Sequence, residues 1–218
     1  MTLHPFVEAV ADLRFENCFN PYADRCDVHD HDDAPRRRAA ALSAIVERAA
    51  KKPIDAIWIG RDLGYRGGRR TGLALTDDVH IEQHARRWNM IAERSTIGTA
   101  VAERTAAVIW NVLDKIDSEI FLWNVFPLHP HEPNEPFTNR QHNSHERRAG
   151  EELLETLISL LRPARIIAVG NDAAAAAGRI ASNAPVICVR HPSYGGQTQF
   201  LQQISDLYGI APGSGRLL

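Results

Sequence analysis

Three side chains of complementary chemistry stand in comparable settings along this chain. Asp62 lies in Gly60-Arg61-Asp62-Leu63-Gly64-Tyr65, Asn124 leads into Phe126-Pro127, and His191 opens His191-Pro192-Ser193-Tyr194-Gly195-Gly196. A carboxylate, an amide and an imidazole can between them stabilise positive charge, read a polar edge and donate a proton or hydrogen bond. Each alone is a weak signal. An aspartate after a strand is commonly a turn or cap residue, an asparagine there commonly satisfies backbone, and His-Pro-Ser is only a tripeptide. Their joint occurrence in this order, each with a short apolar run before it, is what calls for an explanation.

Those runs are Ile54–Ile59, Glu119–Val125, Arg165–Val169 and Pro185–Val189. All are strand-length and rich in β-branched or aromatic residues, the pattern of strands covered on both faces. Helical patterns separate them. Asp33-Ala34-Pro35 reads as a helix start, followed by Leu42, Ile45, Val46 and Ala49 on one face. Val101, Val108, Val112 and Ile116 share a face before the second run, and Leu153 to Leu161 do so before the third, stopping at Arg162-Pro163. An alanine-rich helix follows Gly170, and Phe200, Ile204, Leu207 and Tyr208 mark a last amphipathic helix. Strands alternating with helices predict a three-layer α/β/α sandwich, one domain over residues 1–218, around a mainly parallel four-stranded sheet. Ligands in such sheets bind outside the carboxyl ends of the strands. Asp62, Asn124, Gly170 and His191 would therefore converge on one edge.

In combination these segments resemble the uracil-DNA glycosylase superfamily. Gly60-Arg61-Asp62 followed by Gly72-Leu73-Ala74-Leu75 is similar to its first motif, Gly-x-Asp-Pro-Tyr-His, with the Gly-Leu-Ala-Phe segment of its best-known branch. Phe121-Leu122-Trp123-Asn124 is similar to its middle strand, and His191-Pro192-Ser193-Tyr194 resembles a blend of its His-Pro-Ser-Pro and His-Pro-Ala-Tyr endings. The resemblance runs from about residue 54 to about 200.

It implies excision of uracil, with other deaminated bases as further candidates, from single- or double-stranded DNA by a monofunctional, metal-independent hydrolase, leaving an abasic site. Asp62 would stabilise the sugar cation and orient water, and His191 would stabilise the departing base through O2. Asn124 would pair with the base edge once the nucleotide is flipped out of the stack. Gly64, Tyr65, Leu75 and Phe126 would complete the base pocket. Gly64 stands where the best-known branch has a tyrosine against the thymine methyl, which implies a roomier pocket. Leu75 replaces a stacking phenylalanine, leaving Tyr65, Phe126 and Phe19 as candidate rings. Ser193 and the backbone of Gly195 and Gly196 would hold phosphates. Gly195 replaces the wedge leucine, with Tyr194 or Gln197 as substitutes.

The formal net charge of −2 gives no global sign of a nucleic-acid partner, so any such signal is local. RDLGYRGGRR, Arg61 to Arg70, carries four arginines against one aspartate among glycines, and Arg66, Arg69 and Arg70 are read as phosphate contacts. Three cysteines neither pair completely nor supply four thiolates for an iron–sulfur cluster, so no cofactor is expected. His129, His131, His142 and His145 lie in a proline-rich polar segment that reads as a surface loop rather than a metal site, with His129 near enough to Asn124 to line the pocket. Val169-Gly170-Asn171-Asp172 lacks the glycine spacing of a dinucleotide fold. No run approaches a membrane span, and the start of the chain lacks a signal-like pattern, so a cytoplasmic monomer without membrane contact is expected. Two rivals remain: a non-catalytic lesion or abasic-site binder of the same fold, and a histidine-dependent metallohydrolase.

Overall fold

The computed structural model describes residues 2–180 and 184–210. In chain order the elements are α1 (Pro5–Ala11), β1 (Cys18–Phe19), α2 (Ala34–Ala49), β2 (Ala56–Asp62), α3 (Gly68–Thr71), α4 (Ile81–Arg87) and α5 (Arg104–Leu113). There follow β3 (Ile120–Phe126), β4 (His129–Pro130), α6 (Ser144–Leu161), β5 (Arg165–Val169), α7 (Asn171–Arg179), β6 (Val186–Val189) and α8 (Gln197–Tyr208). The four apolar runs form one parallel sheet in the order β3-β2-β5-β6.

Two apolar layers cover the sheet. Ile57, Ile59, Phe121, Trp123 and Val125 pack with residues of α1, α2, α6 and α7. Ala56, Trp58, Ile120, Leu122 and Ile167 pack on the other face with residues of α5 and α8. All four tryptophans are buried. The sandwich is therefore three-layered, as the alternation of runs and helices predicts. One detail differs: β6 is an edge strand with Val186 38% exposed, so it is not covered on both faces.

Chain direction across the sheet decides where a ligand sits. After β2 the chain moves to β3 on one side, then crosses to β5 and β6 on the other. The loops leaving β2 and β5 thus part in opposite directions and open a crevice at the strands' carboxyl ends. Gly60 and Asn124 are register partners there, as are Asp62 and Phe126.

Helix α6 is fixed against this edge at both its flank and its start. A Cβ on Gly150 would stand 2.1 Å from the Val125 carbonyl oxygen, so only glycine lets the helix approach β3 this closely. At its N-terminus Asn143 caps the Glu146 amide while Glu146 returns to the Asn143 amide, a complete capping box. Buried Glu146 also holds Arg140 through both guanidinium nitrogens. The residues just before α6 are thereby placed with little freedom.

Candidate active site

A cavity of about 540 Å³ opens at the crevice, lined by Gly60 to Gly64 at the end of β2 and just beyond it, Leu75, Glu103, Asn124, Val169 to Asp172, His191 and Ser193 among others. Asp62, Asn124 and His191 come together here from three separate strand ends.

Asp62 closes β2 with its side chain 6% exposed. Arg61 Nε donates to Oδ2 at 2.6 Å, and the same guanidinium reaches Asp172 at 3.1 Å. The other oxygen, Oδ1, accepts from Nδ1 of His142. A carboxylate only accepts, so that ring nitrogen carries the proton. Asp62 is gripped from both sides and lines the cavity.

Asn124 is 2% exposed, and its Oδ1 is buried without a hydrogen-bond partner among the described residues. Gly60 makes room for it: a Cβ there would come within 2.5 Å of that oxygen and 3.1 Å of Leu75 Cδ2. An orphaned amide oxygen costs roughly 1–3 kcal/mol unless something pairs with it. Here it lies on a cavity wall, where a bound molecule can supply the donor.

His191 follows β6 and packs over Gly170, whose φ of +97° and missing side chain leave room for it: a Cβ there would stand 3.3 Å from the His191 Cβ and 3.8 Å from ring atom Cδ2. Its Nδ1 accepts from the Ser193 amide at 3.2 Å and contacts the Ser193 hydroxyl at 2.6 Å. A backbone amide can only donate, so neutral His191 carries its proton on Nε2 and offers a donor. Burial, then the charges of Arg61 and Arg190, hold its pKa below 6.5, with Asp172 opposing. The neutral ring is the resting form.

Leu75 lines the cavity in a left-handed conformation, φ +54°, with its carbonyl held by Trp110 Nε1 at 3.1 Å. A branched residue there is strained by about 1–2 kcal/mol, and such strain collects at ligand sites.

Several sequence expectations need correction. Arg69 and Arg70 are 3% and 7% exposed, not poised for phosphate. Arg70 pairs with Asp78 at 2.7 Å, and Arg69 lies 3.8 Å over the Phe19 ring with its guanidinium toward His129. Short helix α3 is pinned inward by these contacts and by Arg38, which bonds the Arg70 carbonyl and the buried Asp30. Arg66 remains exposed.

None of Tyr65, Phe126 and Phe19 lines the cavity. Phe126 is fully buried between Phe15 and His142, and Phe19 is committed to Arg69. Among the described lining residues only His191 and Tyr194 carry rings, and Tyr194 is 97% exposed. Nor is the Ser193 hydroxyl directed to phosphate, since it meets His191. The Gly196 amide is spent on the Ser193 carbonyl at 3.0 Å; Gly195 is exposed. The space above Gly64 is not empty either. A Cβ on Gly64 would stand 3.1 Å from Glu103 Oε1.

The histidine-rich segment divides. His129 is buried off the cavity, on the Thr138 carbonyl and Arg69, while His145 meets Phe15 edge-on. His142 alone joins the site, through Asp62. Its signal was present in the sequence: it directly precedes Asn143-x-x-Glu146, a capping box that fixes whatever stands before it. Glu103 had no comparable signal.

Comparison with known proteins places the family and the fold. Residues 55–206 match the model of the Uracil DNA glycosylase superfamily, and the chain belongs to that superfamily, whose members are DNA glycosylases. No curated protein matches the chain. Among solved structures it is similar to Pedobacter heparinus SMUG2, with a TM-score of 0.56 at 14% identity, covering 94% of this chain and 97% of that one.

Proposed function

We propose that this chain excises uracil from DNA by hydrolysing the N-glycosidic bond, leaving an abasic site. The observation that carries the reading is the Asn124 Oδ1, buried and unpartnered among the described residues, beside a fixed carboxylate and a neutral imidazole donor. A flipped uracil offers N3–H to Oδ1 and accepts at O4 from Nδ2. His191 Nε2–H meets O2, where negative charge grows as the bond to C1′ breaks. Asp62 faces the sugar, where positive charge grows. It stabilises the cation and orients the water whose oxygen forms the new bond to C1′. His142 and Arg61 hold that carboxylate in place.

Binding alone would favour the lesion-binder reading, but it gives no use for a buried carboxylate beside a sugar–phosphate chain, which repels it. The direct test is a single-stranded oligonucleotide with one uracil, incubated with chelator and then cleaved with alkali. Strand breaks at uracil are expected. Intact strands with uracil, xanthine and hypoxanthine alike would overturn the proposal.

A further inference from the structure

Glu103 is a lining residue that the chemistry above leaves unused. It stands just before α5, with its backbone amide held by Asp77 Oδ2 at 2.6 Å. Its side chain reaches back across the loop after β2. A Cβ on Gly67 would lie 2.1 Å from Oε2, and one on Gly64 would lie 3.1 Å from Oε1. These glycines make room for the carboxyl, and a larger residue at either would displace it into the cavity.

Among the described residues nothing pairs with this carboxyl: it makes no side-chain hydrogen bond or ion pair, and Arg66 acts on it only as a charge at longer range. Burial, then the charge of Asp77, pushes its pKa up to about 7, with Arg66 opposing. A polar group half withdrawn from water and left unpaired gains a partner when a ligand brings one. It loses its remaining water when a ligand brings a methyl instead.

The uracil reading, on which this inference rests, decides what faces it. Asn124 takes the N3–O4 edge and His191 takes O2, so the free edge of the ring is C5–C6. Gly64, Gly68 and Glu103 line the same cavity as Asn124 and His191, and that edge is set against them. We infer that Glu103 is the residue that excludes 5-methylpyrimidines, so that thymine is rejected by a polar carboxyl rather than by an aromatic ring. The class of substrate is a pyrimidine without an apolar group at C5.

Discrimination of this kind reaches about 10–200-fold per methyl group. Single-turnover release of uracil and of thymine from otherwise identical single-stranded oligonucleotides measures it. The ratio of the two rates should fall at least tenfold in Glu103→Ala and in Glu103→Leu, through faster thymine release. It should stay within about threefold of wild type in Glu103→Gln, whose amide keeps both size and polarity. An unchanged ratio in the alanine and leucine variants would overturn the inference. Loss of release of both bases in all three variants would also overturn it, by placing Glu103 in the excision step itself. Wild-type protein inert toward uracil would instead defeat the proposed function, and the inference with it.

Discussion

At the scale of single residues, the site assigns each polar atom a direction. His142 touches Asp62 and not the cavity contents, so it is a positioning residue. His142→Ala should lower kcat by about 10–100-fold with KM little changed, because a loosely held carboxylate is misplaced by a fraction of an ångström. His142→Asn, which keeps an N–H near the position of Nδ1, should recover part of that loss; equal kcat in all three proteins would show that the contact is idle. His191 gives a second prediction. Below its lowered pKa the ring is protonated on both nitrogens, and Nδ1 can no longer accept from the Ser193 amide. Excision should therefore persist from neutrality down to pH 6.5 and fall only at lower pH. Long-range proton–nitrogen NMR spectra at pH 7 should show His191 protonated on Nε2 alone, and an Nδ1–H form would contradict the account.

Elements explain why some of these residues were legible in the sequence and others were not. Asp62 and His191 follow strand-length apolar runs and Asn124 lies near the end of one, and a parallel sheet brings successive strand ends to one edge. Their convergence needs only the alternation of strand and helix. Glu103 reaches the site across a loop with no local pattern to mark it, and His142, marked only by the capping box that follows it, depends for its role on how α6 packs. The arginine run misleads for a related reason. Its glycines and charges look like a phosphate cradle, yet the groups that bury it lie in other segments: Asp78 pairs with Arg70, and Phe19 lies against Arg69. Breaking a buried pair leaves one charge stranded. Arg70→Ala should lower unfolding free energy in urea by about 3 kcal/mol or more, and a change under 1 kcal/mol would mean that α3 is not held by this pair.

Across the whole molecule, three layers hold a crevice whose floor is sheet and whose rim is loop. With Arg69 and Arg70 withdrawn, the exposed cations beside the cavity include Arg66 and Arg190. Each phosphate contact removed should flatten the dependence of log affinity on log salt by about one unit. Arg66→Ala and Arg190→Ala are each expected to do so with single-stranded DNA, while Arg69→Lys leaves the slope unchanged. A slope altered only at Arg69 would return that residue to the DNA-contacting surface.

The claim that everything else serves is that Asp62 drives cleavage of a base from deoxyribose. Single-turnover release of free uracil from an oligonucleotide, wild type against Asp62→Asn with chelator present, tests it most directly. The account predicts free base from the wild type and a rate at least about 100-fold lower in the variant, with DNA affinity little changed. No release from the wild type, or equal rates from both proteins, would contradict it.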